Sequence, residues 1–250
     1  MRGLAFAIAS LTCAFAFGLD LGKVHCIGDS LTEGAGSGVR GGGWRVQLTK
    51  TFDKANVHYQ MVGNLGTGSG PLAGTNKQWN DGHGGWTTLD MVNGKPGSGS
   101  AFDWQLAFHP DTVILMIGQN DPYDWSDISV KYKALVDGLY ALNPNLDLWW
   151  SNVGEEEVHN SYNLLHVTRA DQAIRTLIVG YKSQGRKIHL LDVLGYTFNM
   201  TGIHDPLGVH YNDKGYDLIG NYFAKQILLG SSGASETSSN AINGFAWPPH

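Results

Sequence analysis

The chain has 250 residues, 42% of them apolar and 16% charged, with a formal net charge of −5. That balance suits one large α/β domain with a sizeable core and excludes global disorder. Mild acidity with 17 Lys and Arg gives no electrostatic footprint for nucleic acid, and two cysteines cannot build a disulfide scaffold.

At the start, Met1-Arg2-Gly3 precedes an apolar run over 4–17 that exits through Ala14-Phe15-Ala16 or Ala16-Phe17-Gly18. One positive charge, an apolar core of about 7–15 residues and a small-residue exit describe a secretory signal peptide over 1–18. The run is shorter than the ~20 residues of a spanning helix, and no later segment is suited to a membrane. Loss of the signal removes Cys13 and leaves Cys26 alone, as a small core residue. The mature protein is therefore expected to be secreted, with no disulfide.

Short β-rich apolar runs at 24–27, 57–62, 112–117, 146–153 and 188–193 predict strands, several of them apolar on both faces. Between them, helical spacing recurs over 130–142, where Asn143-Pro144 stops it, and through Val167, Ala170, Ile174, Leu177, Ile178 and Tyr181. A last helix carries Leu218, Ile219, Tyr222, Phe223 and Ile227 after a cap at Asn212. Trp44 sits in an earlier helix and reads as core. Such alternation implies right-handed crossovers and a parallel sheet covered on both sides. One domain spans 19–229. Residues 230–250, rich in Ser, Gly, Ala and Asn, read as a flexible tail.

In an open α/β sheet, chemistry lies beyond the carboxyl ends of the strands. The first strand runs into Gly28-Asp29-Ser30-Leu31, the third into Gly118-Gln119-Asn120-Asp121, and Gly208-Val209-His210-Tyr211-Asn212 precedes the last helix. A nucleophile, an amide donor and a base thus sit at three loop positions of one face. Singly, Ser30 reads equally as a cap, Asn120 as a turn residue and His210 as a satisfied polar group. Their joint placement favours chemistry. No Gly-x-Ser-x-Gly elbow, Walker loop, Cys-x-x-Cys or His-Glu-x-x-His is present. Gly36-x-Gly38-x-x-Gly41 begins too far beyond its strand for a dinucleotide fingerprint. No cofactor or metal is expected, and His83 and His204 lack ligand spacing.

These blocks resemble the SGNH (GDSL-type) esterase superfamily over roughly residues 23–229. Gly28-Asp29-Ser30-Leu31 resembles its nucleophile block, and Gly118-Gln119-Asn120-Asp121 its Gly-x-Asn-Asp block. Asp81-Gly82-His83-Gly84-Gly85-Trp86-Thr87 resembles the block carrying the oxyanion glycine. With Gly42-Gly43-Trp44-Arg45 upstream, the wording is most similar to carbohydrate esterase family 3, which includes acetylxylan esterases. The resemblance implies a flavodoxin-like three-layer α/β/α sandwich with a five-stranded parallel sheet. It implies Ser30 as nucleophile, His210 as base, and an oxyanion hole from the N–H groups of Ser30 and Gly85 with the Asn120 side chain. Asp29, His83 and Trp86 are candidate substrate contacts.

One position departs from the pattern. The family places Asp three residues before the histidine, where this chain has Leu207. Three arrangements can follow. A backbone carbonyl near Leu207 orients the ring, Asp205 swings in, or catalysis is impaired and the fold is kept for binding. The carbonyl is preferred, since loss of the carboxylate weakens a triad without abolishing it, and Pro206 restricts Asp205. Trp79, Trp86, Trp104 and Trp125 fall in or near loops on the expected catalytic face. Aromatic faces with few charges suit neutral sugars, although each tryptophan alone reads as packing. The expected substrate is a short-chain ester, such as acetyl, on a carbohydrate. A non-catalytic sugar binder and a lipase-like or lysophospholipase-like esterase are the alternatives.

Overall fold

The computed structural model describes residues 18–38, 41–67, 70–122, 128–154 and 161–231. All of the expected signal peptide but Gly18, the Trp125 loop position and the expected tail from residue 232 lie outside them. The five expected strands form β1 (Asp20–Gly28), β2 (His58–Val62), β4 (Thr112–Met116), β5 (Asp147–Ser151) and β6 (Ile188–Leu191). They pair in parallel in the order β2-β1-β4-β5-β6. A two-residue β3 (Asp81–Gly82) also pairs with β1, matching Ile27 to Asp81 and Gly28 to Gly82. It is too short to leave a periodicity in the sequence.

Alternation along the strands divides the interior into two layers. Val113, Leu115, Leu148 and Trp150 face one side with Tyr132, Leu135, Leu139, Ile174 and Ile178. Those partners come from α5 (Ile128–Leu142) and α6 (Ser161–Ser183). The same layer holds α3 (Thr88–Asn93) and α4 (Ala101–Phe108) through Met91 and Trp104. Cys26, Ile114, Met116 and Trp149 face the other side, against α2 (Trp44–Lys54), Val193 of the short α7 (Val193–Thr197) and α8 (Asp213–Ser231). Trp44 is fully buried there, edge-on to Phe223 with ring centroids 5.0 Å apart. Burial pushes the Cys26 thiol up to about 12, which suits an inert core residue. Asn212 does cap the last helix, its Oδ1 accepting from the Gly215 N–H at 3.0 Å. That helix runs through Ser231, two residues beyond the expected end of the domain.

The order of the strands reverses at β1, so β2 and β4 flank it on opposite sides. A crevice at such a switch point lies beyond the ends of β1 and β4. Ser30 follows β1 and Asn120 follows β4.

Candidate active site

Ser30 opens α1 (Ser30–Glu33), a single turn entered directly from β1. Asp29 caps it, its carboxyl oxygen accepting from the Leu31 N–H at 2.9 Å. The N–H groups of Thr32 and Glu33 are taken by the Asp29 carbonyl. Ser30, at the first helical position, has no carbonyl one turn back to receive its own N–H. At the other end of this turn, the fully buried Arg45 gathers carbonyls. Its guanidinium donates to Thr32 O at 3.0 Å, Glu33 O at 3.3 Å and Gln78 O at 3.1 Å, and to Thr67 Oγ1 at 3.0 Å. Burial lowers its pKa to about 10, so the cation persists at neutral pH beneath the Ser30 turn.

His210 Nε2 stands 3.0 Å from Ser30 Oγ, across 180 residues of sequence. Behind the ring, Nδ1 faces Asp205 Oδ2 at 3.5 Å. The group opposite Nδ1 is thus the Asp205 carboxylate and not a carbonyl near Leu207, which corrects the preferred expectation. The loop explains how Pro206 permits this. Asp205 N–H donates to His210 O at 2.8 Å, and Gly208 N–H donates to Asp205 O at 2.9 Å. Pro206 and Leu207 become the centre of a tight turn, closed by Gly208 at φ 72°. Leu207 is 74% exposed at its tip. Asp205 is folded back beside His210, and its Oδ1 faces the N–H groups of Val209 and His210 at 3.3 and 3.4 Å. The proline fixes the turn that brings Asp205 beside His210.

The third block approaches from β3. His83 N–H donates to Gly28 O at 2.8 Å and Trp86 N–H to His83 O at 3.1 Å, so Gly84 and Gly85 form the crest of a turn. A methyl built on Gly84 would stand 3.9 Å from Ser30 Cβ, which places the crest beside Ser30. Gly85 has φ 74° and open space where its Cβ would be. Its backbone conformation, and not crowding, requires glycine here. Asn120 Nδ2 donates one hydrogen to Trp86 O at 3.0 Å, leaving its second for another acceptor. Asp121 ties the same loop to α3, accepting from Thr88 N–H at 2.9 Å and from Thr88 Oγ1 at 2.6 Å.

The expected substrate contacts stand differently. Asp29 is 1% exposed and Trp86 6%. The His83 side chain is 9% exposed and packs on both Trp86 and Trp104, with centroids 4.2 and 4.9 Å away, while the two tryptophans also meet each other at 5.8 Å. All three are interior supports, because a residue that caps a helix or fills a ring stack has its surface already covered. Trp104 is buried likewise, whereas Trp79 is 39% exposed. His204 stacks on Tyr211 at 4.9 Å. Burial raises the Asp29 carboxyl to about 7, with the Asp121 charge adding and the Leu31 and Gln119 N–H groups opposing. Burial also raises Asp121, against the Thr88 donors.

Sequence reasoning missed His25. It is fully buried in β1, with Nε2 2.8 Å from Asp81 Oδ2. Asp81 Oδ1 lies 3.2 Å from His83 Nε2. Burial alone would raise Asp81, but the two histidines and the Asn64 N–H outweigh it and hold the carboxyl low. A histidine in an otherwise apolar strand was the available signal. Among the described residues, no group of three or more His, Cys, Asp or Glu side chains is arranged to hold a metal ion. No described helix is long and apolar enough to cross a membrane.

The model of the GDSL-like Lipase/Acylhydrolase family matches residues 26–218. No curated protein matches the chain. Among solved structures, a Clostridium thermocellum family 3 carbohydrate esterase superposes with TM-score 0.71 and 22% identity, over 86% of this chain and 98% of that one. A family 3 carbohydrate esterase from Talaromyces cellulolyticus gives TM-score 0.70 and 19% identity, over 85% and 99%. A lipase from the goat rumen metagenome gives 0.59 and 12%, over 81% and 96%. At these identities the likeness shows the fold, the three-layer α/β/α sandwich of SGNH hydrolases.

Proposed function

Since the chain belongs to the GDSL-like Lipase/Acylhydrolase family, and so is an ester hydrolase, we propose that it is a secreted serine esterase. On this reading it removes short acyl groups, acetyl above all, from carbohydrate. The observation that carries the mechanism is the 3.0 Å approach of His210 Nε2 to Ser30 Oγ with Asp205 behind the ring. A carboxylate facing Nδ1 favours the tautomer protonated there and leaves Nε2 free to accept the serine proton. Ser30 Oγ then attacks the acyl carbon as His210 takes its proton. The oxyanion is received by the N–H groups of Ser30 and Gly85 and the free Asn120 hydrogen. His210 returns its proton to the leaving alkoxide, and water releases the acid from the acyl-enzyme by the same steps. Asp205 stabilises the imidazolium formed in each half-reaction.

Support for an acetylated carbohydrate comes from the names of structural neighbours, among them the two family 3 carbohydrate esterases and an acetyl xylan esterase. The exposed Trp79 ring offers a face for a neutral sugar. Support for secretion is the apolar run over 4–17 after Arg2. The test is hydrolysis of p-nitrophenyl acetate, butyrate and octanoate, with acetate release from acetylated xylo-oligosaccharides. Turnover should favour acetate and fall roughly 10⁶-fold in Ser30→Ala. Retained turnover in that variant would refute the mechanism, and a preference for octanoate would move the substrate to lipids.

A further inference from the structure

The turn bearing Gly84 and Gly85 is exposed at its crest, yet the residues beneath it are buried and polar. Asp81 is fully buried on a strand only two residues long. Its carboxylate meets His25 Nε2 at 2.8 Å, His83 Nε2 at 3.2 Å, Asn64 N–H at 3.0 Å and Asn64 Nδ2 at 3.2 Å. The far nitrogen of His25, Nδ1, is buried with no partner. A bare N–H there would cost more than a lone pair, so the His25 proton belongs on Nε2, donated to Asp81. His83 Nε2 likewise donates to the other carboxylate oxygen. Its ring packs against Trp86 and Trp104, which also contact each other at 5.8 Å, and Trp104 Nε1 is itself anchored to Ser98 O at 2.8 Å.

Rotation of that ring is coupled to the site from both ends of the turn. His83 is bonded to the end of β1 two residues before Ser30. Trp86, which stacks on His83, carries the carbonyl that holds the Asn120 amide. We infer that His25, Asp81 and His83 form a buried line of positioning residues that fixes the Gly85 N–H and the Asn120 amide where the oxyanion develops. The inference rests on the esterase reading and adds residues to it that touch no substrate.

The test uses the full chain with Asp81→Asn, His83→Leu and His83→Gln, the last retaining a donor towards Asp81. In Asp81→Asn and His83→Leu, kcat on p-nitrophenyl acetate should fall about 10–100-fold with KM changed less than about 2-fold, since only oxyanion contacts are lost. His83→Gln should recover most of that loss. Backbone ¹⁵N relaxation supplies a readout independent of turnover. The Gly85 order parameter should drop from about 0.85 towards 0.6 in the first two variants and be restored in His83→Gln, with α2 and α8 unchanged. Unchanged kcat and an unchanged Gly85 order parameter would overturn the inference. So would equal losses in all three variants accompanied by loosening of α2 and α8. Should the wild type show no Ser30-dependent turnover, the esterase reading fails, and the Gly85 measurement still decides whether Asp81 holds the turn. If Asp81→Asn does not fold, the two His83 variants decide.

Discussion

The segment from Asp81 to Thr88 and the loop from Asp205 to His210 both bring polar groups to Ser30, by different means. The first is held by side chains: a buried carboxylate between two histidines, a ring stack, and the Asp121 bridge to Thr88. The second is held by main chain: two backbone hydrogen bonds close it around an exposed Leu207. Donors to an oxyanion work best when they need not reorganise, which fits the rigid side. On the proposed mechanism only His210 moves protons, and its side chain keeps 26% exposure to water while Asp205, at 11%, stays folded beside it. Substitution of side chains should therefore damage the first region, and substitutions that alter backbone shape should damage the second.

Asn120→Ala should cost the most in this set, about 10²–10³-fold in kcat with little change in KM, because one oxyanion donor is lost. Gly36→Ala tests the main-chain side. A methyl there would lie 2.6 Å from His210 Cβ and 3.4 Å from Asp205 Oδ2, at φ 78°. Displacing His210 by a fraction of an ångström should cost about 10–100-fold in kcat/KM, with Tm lowered by about 2–8 °C because a left-handed φ strains alanine. Asp29→Asn separates support from chemistry, since asparagine caps equally well. With its folded pKa raised to about 7, Asp29 stays protonated in the folded chain while the unfolded chain ionises near pH 4. Wild-type stability should accordingly fall relative to Asp29→Asn as pH rises from about 4 to 7, then level off. Denaturant unfolding across that range checks it; a constant gap would contradict the assignment. The smallest effect is expected from Leu207→Asp in an Asp205→Ala background. It restores the family spacing at an exposed tip, and should rescue activity less than about 2-fold.

Much of this was legible because the key residues sit in local blocks. Ser30, Asn120 and His210 each follow a turn signal at a strand end or precede a helix, and the sheet order then brings them together. Asp205 was not resolved, because its place depends on where the six-residue loop from Asp205 to His210 closes. Counting back from the histidine assumes one loop shape, whereas Pro206 and Gly208 build another. Trp86 and Trp104 misled because they sit in or beside loops, where aromatics read as exposed, yet a three-ring cluster with His83 buries both. His25 carries a periodic signal only as an exception within an apolar strand. Its partner Asp81 lies 56 residues away on a strand with no period at all.

The account turns on Asp205 as the third member of the site, five residues before the base instead of three. The direct measurement is kcat/KM on p-nitrophenyl acetate for Asp205→Asn beside His210→Ala, with folding verified by near-UV circular dichroism. A loss of about 10²–10⁴-fold in Asp205→Asn, approaching that of His210→Ala, is the predicted result. Activity within about 3-fold of wild type would contradict it and return the orientation of His210 to the backbone.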